Sequence, residues 1–212
     1  MDSSTITILF QYIIFIFITS FISYLCNKLY IWFRGKIGEF HLKCELNKLP
    51  KKEYIVLNDI MIMSNNITYQ IDHVVISKFG IFVIEMKNYF GFIYGDSYKK
   101  KWIQKIGKTK RYFYNPIHQN YGHIKALEEK LNLNEKHFIS IICFSNQAKI
   151  NVKGNCNIIN LSRINNLIKQ YDKILLEDNI EHVARKIYEI NIENKLIRKK
   201  HVKLIKEKLK NK

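Results

Sequence analysis

Asp72 stands between Ile71 and the run His73-Val74-Val75-Ile76, and Glu85 and Lys87 alternate within Ile81-Phe82-Val83-Ile84-Glu85-Met86-Lys87. Residues two apart on a strand point to the same face. Glu85 and Lys87 therefore share a face at the end of an apolar strand, and Asp72 on the preceding strand can join them. Two carboxylates drawn to one point favour a hard divalent cation, because each keeps its charge cheaply only beside a counter-charge. A lysine there holds a water or a phosphate oxygen. Metal-assisted phosphodiester hydrolysis needs those parts: an activated water, a cation on the phosphoryl oxygens and a charge-stabilising donor. The same spacing also suits a solvated Glu–Lys pair with a purely structural role. Spacing by itself leaves both open.

Positioning such groups requires a core. The chain has 212 residues, enough for one domain and at most two. Its 47% hydrophobic and 13% aromatic content argues against a disordered chain. Lys and Arg number 35 against 18 Asp and Glu, a net charge of +17 that favours acidic partners such as nucleic acid or an anionic membrane. The four cysteines, Cys26, Cys44, Cys143 and Cys156, are too scattered for a metal knuckle and read as reduced thiols. Apolar periodicity predicts a helix from Gly35 to Leu49, ended by Pro50. Strands follow at Tyr54 to Met63, Thr68 to Ser77 and Ile81 to Lys87, with a short one at Gly91 to Gly95. A basic hairpin from Trp102 to Tyr114 turns near Gly107, and Asn115-Pro116 opens a helix to Leu131. Phe138 to Phe144 reads as a buried strand, and a helix is expected from Ser162 to Tyr171. The order is that of an α/β fold with a mixed central sheet.

Ile6 to Leu25 carries no charge and is long enough, at about 30 Å of helix, to cross a hydrocarbon core. Asp2 near the start and the length of the run argue for an uncleaved anchor over a signal peptide. Lys28, Arg34 and Lys36 follow the span, so the positive-inside rule places the N-terminus outside and the bulk of the chain in the cytoplasm. Tyr24, Tyr30 and Trp32 suit the interface. The expected organisation is a short N-terminus (1–5), a membrane helix (6–27), a domain (34–145), its C-terminal extension (146–190) and a basic helical tail (191–212).

Five motifs in order carry a resemblance. Gly35-Lys36-Ile37-Gly38-Glu39 is followed by Gln70-Ile71-Asp72-His73-Val74-Val75 and by Gly80 to Tyr89 with Gly91. Trp102 comes next, and then Asn115-Pro116 with Gln119. Over about half of the chain this resembles the nuclease-related domain, NERD, a family similar to the PD-(D/E)xK nucleases with their αβββαβ core. The resemblance implies a site made of Glu39 from the first helix, Asp72 from the second strand, Glu85 and Lys87 from the third as the (D/E)xK signature, and Gln119 lining it. Asp72 and Glu85 would hold Mg²⁺ or Mn²⁺. Lys87 would position water or phosphate, and Glu39 would bind a second metal or orient Lys87. The activity implied is phosphodiester hydrolysis of nucleic acid, with DNA ahead of RNA. The alternative is a catalytically silent, membrane-tethered nucleic-acid-binding or scaffold protein that kept the fold.

Two further basic segments stand out. Lys99, Lys100, Lys101, Lys105, Lys108, Lys110 and Arg111 accompany Trp102 and several tyrosines, with no acid among them. Such a mixture neutralises phosphates and stacks on unpaired bases, or is a solvated loop whose aromatics belong to a core. The tail from Lys195 suits an anionic leaflet, nucleic acid or solvent. His118 and His123 are wrongly spaced for a helical zinc pair, and Gly107-Lys108-Thr109 lacks the glycine that a phosphate loop needs.

Overall fold

The computed structural model describes residues 3–173, 176 and 179–210. Asp2 and residues 1, 174–175, 177–178 and 211–212 lie outside the described residues, as do the side chains of Ile6 and Trp32, so the readings that fall on them stand as expectations.

Helix α1 (Ser3–Leu46) is a single helix of 44 residues. Two helices were expected here, a membrane span and a second helix opening near Gly35. No proline separates them, and an isolated glycine costs a helix only about 1 kcal/mol. The apolar side chains from Phe10 to Leu29 are exposed, whereas Leu42 and Leu46 at the other end are fully buried. This helix is long and apolar enough to cross a membrane.

The strands are β1 (Ile55–Ser64), β2 (Ile67–Ser77), β3 (Gly80–Lys87), β4 (Gly91–Asp96), β5 (Lys101–Ile106) and β6 (Thr109–Tyr114). Helix α2 (Pro116–Leu131) precedes β7 (Phe138–Phe144), β8 (Ala148–Lys153) and β9 (Asn157–Asn160). The chain closes with α3 (Ile164–Lys169), α4 (Ile180–Ile190) and α5 (Lys195–Lys210). Asn65 and Asn66 take positive φ of 49° and 59°, which makes the tight turn between β1 and β2.

The strands form the expected mixed central sheet and, around the hairpin, a second sheet. The first has the order β1-β2-β3-β7-β9, and the second β6-β5-β4-β8. In the first, β1, β2 and β3 pair antiparallel, while β7 lies parallel to β3 and β9 parallel to β7. The succession α1-β1-β2-β3-α2-β7 is the αβββαβ order, with the hairpin strands β4 to β6 inserted before α2. Strand β8, which the sequence reading passed over, pairs parallel with β4 and completes the second sheet.

Alternation divides the first sheet into two faces. Ile81 and Val83 of β3 pack with Val74 and Ile76 of β2 against Ile124 and Leu127 of α2 and Val183 and Ile187 of α4. Phe82, Ile84 and Met86 face the other way, onto Leu42 and Leu46 of α1 and Ile164 and Ile168 of α3. A third cluster joins Ile93, Trp102 and Ala148 of the second sheet to Ile142 and Phe144 of β7. Residues 146–190 thus supply two strands and two helices to the same cores. The tail is also tied down: Arg198 donates to Asp59 Oδ2 at 2.9 Å, and His201 is 9% exposed and bonded to Thr68. A detached solvated tail is therefore not what the structure shows for this part of α5.

A candidate active site at the end of β3

Strand parity puts Glu85 and Lys87 on the face that packs against α2. The β2–β3 ladder runs from Ser77↔Gly80 to His73↔Ile84 and would next pair Asp72 with Glu85. It stops there, and the Asp72 side chain replaces the backbone partner: Oδ2 accepts the Met86 N–H at 3.0 Å. Asp72 and Glu85 therefore end together on the α2 side of the sheet.

Glu85 is 1% exposed. Its Oε1 accepts from Lys87 Nζ at 2.5 Å, and Lys87 donates again to Gln119 Oε1 at 3.0 Å. Gln119 lies in the first turn of α2, whose start is fixed by Asn115 capping the Ile117 N–H and by Pro116. Asn120, on the next position, is fully buried and donates to Val83 O and Ser140 Oγ, both at 2.8 Å, clamping α2 onto β3 and β7. The sequence-predicted Asp72, Glu85, Lys87 and Gln119 thus meet in one place.

Glu39 does not join them in direct contact. Helix α1 packs on the opposite face of β3, and Glu39 pairs with Lys36 at 2.6 Å. Its charge reaches Asp72 only through longer-range electrostatics. Conversely, the structure adds a residue that sequence reasoning had set aside. His123 Nδ1 lies 3.6 Å from Glu85 Oε2, and neither atom has a hydrogen-bond partner although both are buried. Its signal was one turn of helix: Gln119 and His123 are four apart on α2, which places them on one face.

Burial and the neighbouring Glu85 raise the Asp72 carboxyl well above the usual carboxylate range, and Lys87 offsets only part of this. Burial pushes the Lys87 ammonium down, but Glu85 beside it outweighs that, so Lys87 stays charged and its affinity for its proton is raised. Burial lowers His123 and keeps it neutral, with Glu85 opposing. The two carboxylates form a hard oxygen donor set, and Glu85 Oε2 has no partner. That suits Mg²⁺ or Mn²⁺, since such ions take one or two protein carboxylates and complete their shell with water and phosphate. Among the described residues no three His, Cys, Asp or Glu side chains gather into a metal cage. A cavity of about 640 Å³ lies elsewhere, between α1 and the ends of β3 and β7, lined by Arg34, His41 and Asn88 and by none of the site residues.

The basic hairpin divides. Trp102, expected to contact nucleic acid, is fully buried, stacks with Phe144 at 6.4 Å and donates to Asp96 O. It is a core residue and offers no ring to a base. An added Cβ on Gly95 would lie 2.4 Å from the Trp102 ring, which is why that position is glycine. Lys99, Lys100, Lys101, Lys108, Lys110 and Arg111 are exposed, and Lys105 half-buried.

The nuclease-related domain family, NERD, matches residues 34–145, more than half of the chain. An uncharacterized protein of Bacillus anthracis is 37% identical over 178 residues, covering 81% of this chain and 84% of that relative. No solved structure matches the chain. On the five ordered motifs, the αβββαβ succession and this match, the chain belongs to the NERD family of nuclease-related domains.

Proposed function

We propose that the protein is a membrane-anchored, divalent-metal-dependent nuclease that hydrolyses phosphodiester bonds of nucleic acid on the cytoplasmic side. The observation that carries this reading is the convergence of Asp72, Glu85, Lys87 and Gln119 at one strand end, where burial and the neighbouring Glu85 disfavour the Asp72 charge. A pair of that kind is relieved by a cation. Asp72 and Glu85 would hold Mg²⁺ or Mn²⁺, and Glu39 lies within electrostatic range to assist. Such an ion supplies a Lewis acid for the phosphoryl oxygens and a water of lowered pKa.

Lys87 remains cationic, so its role is that of a donor that orients water or a phosphate oxygen and stabilises charge developing there. Gln119 positions Lys87 by accepting a hydrogen bond from its Nζ at 3.0 Å. The exposed lysines and Arg111 of the β5–β6 hairpin supply phosphate contacts. Helix α1 serves as the single-pass anchor with the N-terminus outside, and α5 adds positive charge near an anionic leaflet.

The test is cleavage of labelled single- and double-stranded DNA and RNA by the full chain in non-ionic detergent, with Mg²⁺, Mn²⁺ or EDTA. Metal-dependent cleavage that Asp72→Ala and Glu85→Ala each abolish supports the reading. The double change should cost little more than either single one, because residues acting as a unit are non-additive. Metal-independent cleavage, or full activity in Asp72→Ala, overturns it. Nucleic-acid binding without cleavage moves the assignment to a silent binder, a role to which the existing Lys87–Glu85 ion pair is also suited.

A further inference from the structure

We propose that the outer face of the β6-β5-β4-β8 sheet is a stacking platform for single-stranded nucleic acid. The choice of polymer rests on the nuclease reading above; the platform itself rests on the alternation of side chains in this sheet. One side of each strand enters the third core, through Ile93, Trp102, Phe113, Ala148, Ile150 and Val152. The other side is open to solvent and carries aromatic rings among lysines.

Four rings belong to this open side: Phe92 and Tyr94 on β4, Tyr112 and Tyr114 on β6. Phe92 is 43% exposed and Tyr112 67% exposed, far more than rings on a sheet that only packs a core. Phe92 and Tyr94 lie nearly parallel, 14° apart with centroids at 6.2 Å. The ladder places Tyr94 opposite Ile103 and Ile103 opposite Tyr112, so these rings sit two strands, or about 10 Å, apart on one row. Four-stranded sheets bearing such rings stack two or three bases of a single strand.

Five lysines surround the rings on the same side: Lys101 and Lys105 on β5, Lys110 on β6, Lys149 and Lys153 on β8. Lys149 Nζ stands 5.1 Å from the Phe92 centroid. Asp96 is the single acid on that side, and its Oδ1 already accepts the Tyr98 N–H at 2.9 Å. The charge is complementary to a phosphate backbone, and the rings are complementary to base faces, which only an unpaired strand exposes. Register also separates these lysines from Arg111, which pairs with Gln104 on the side of Trp102.

The test is fluorescence anisotropy of labelled oligo(dT), oligo(rU) and a blunt DNA duplex with the full chain in non-ionic detergent and EDTA, where nothing is cleaved. Phe92→Ala with Tyr112→Ala should weaken single-strand binding about 30-fold, taking the lower end of the stacking range for each ring. Duplex binding should not change, and Phe92→Tyr with Tyr112→Phe should bind single strands as the wild type does. Lys105→Gln with Lys149→Gln should flatten the slope of log K against log salt by about 1.4. The oligo(dT) and oligo(rU) arms show which polymer the platform prefers; ring-dependent binding of either supports it. Unchanged single-strand binding in the alanine pair overturns the proposal, as does an equal loss for duplex. A second arm measures co-flotation of the detergent-free chain with phosphatidylserine vesicles; a loss confined to that arm also overturns the proposal and would make the face a membrane contact. Ring-dependent binding by a chain that cleaves nothing would leave the platform standing and remove the nuclease. Metal-dependent cleavage with ring-independent binding would do the reverse.

Discussion

Replacing Lys87 by Met removes the cation bonded to the nearly inaccessible Glu85 carboxylate. Glu85 is 1% exposed, and Lys87 Nζ holds its Oε1 at 2.5 Å while reaching Gln119 at 3.0 Å. Without Lys87 the inaccessible Glu85 charge loses its strong donor, and its Oε2 has no hydrogen-bond partner to begin with. Breaking such a pair from one side costs about 3–5 kcal/mol. For a chain of this size each kcal/mol lowers the melting temperature by about 2–4 °C, so the variant should melt roughly 6–20 °C below the wild type in EDTA. Glu85→Gln combined with Lys87→Met removes both charges and should recover most of that loss. The assay is thermal unfolding of the full chain in non-ionic detergent, followed by far-ultraviolet circular dichroism. A Lys87→Met variant within about 1 kcal/mol of the wild type, or a double variant no better than the single one, would refute the buried-pair reasoning.

Three other outcomes follow from the same structure. Burial, with Lys43 next, lowers the buried His73 to about 4 from an ordinary 6.5, so the folded state favours neutral imidazole. Its stabilisation is complete above about pH 6.5 and is lost as pH falls towards 4, by up to about 3 kcal/mol; His73→Gln should remove that part of the pH dependence in acid melts. Trp102→Ala should cost about 3–5 kcal/mol because the ring fills the core of the second sheet, whereas Lys105→Ala should leave the melting temperature unchanged; equal effects would contradict the division of the hairpin. Protease added to intact cells should leave the bulk of the chain uncut if the N-terminus lies outside, and digestion with cytoplasmic markers protected would reverse the topology.

The parts of the fold that local pattern controls were legible. Ile- and Val-rich runs gave β1, β2, β3 and β7, and Asn115-Pro116 gave the start of α2. Asp72, Glu85 and Lys87 were legible as well, because the two-residue period of a strand is rigid enough to place side chains. What failed depended on distant pairing. Strand β8 reads Ala148-Lys149-Ile150-Asn151-Val152-Lys153, a clear alternation, but its partner β4 lies more than fifty residues earlier, and half of its side chains are polar because they face solvent. Trp102 was misplaced because composition was read without parity: Lys101 and Lys105 point away from the side that buries Trp102 and Gln104. The continuity of α1 was hidden by Lys28, Arg34 and Lys36, which read as the end of an apolar span but do not end a helix. His123 was hidden because its role comes from Glu85 across the sheet–helix contact, not from a second histidine on its own helix.

The central claim is that Asp72 and Glu85 together bind a divalent cation. Thermal unfolding of the full chain with Mg²⁺ or Mn²⁺, against EDTA, tests it directly. At a hundredfold excess over the dissociation constant the wild type should gain about 2.7 kcal/mol, or roughly 5–11 °C. Asp72→Asn should melt at or above the wild type in EDTA, because a buried carboxyl whose charge is disfavoured has been made neutral, and it should not respond to the cation. A wild type that gains nothing from either ion, or an Asp72→Asn variant that gains as much as the wild type, would contradict the account.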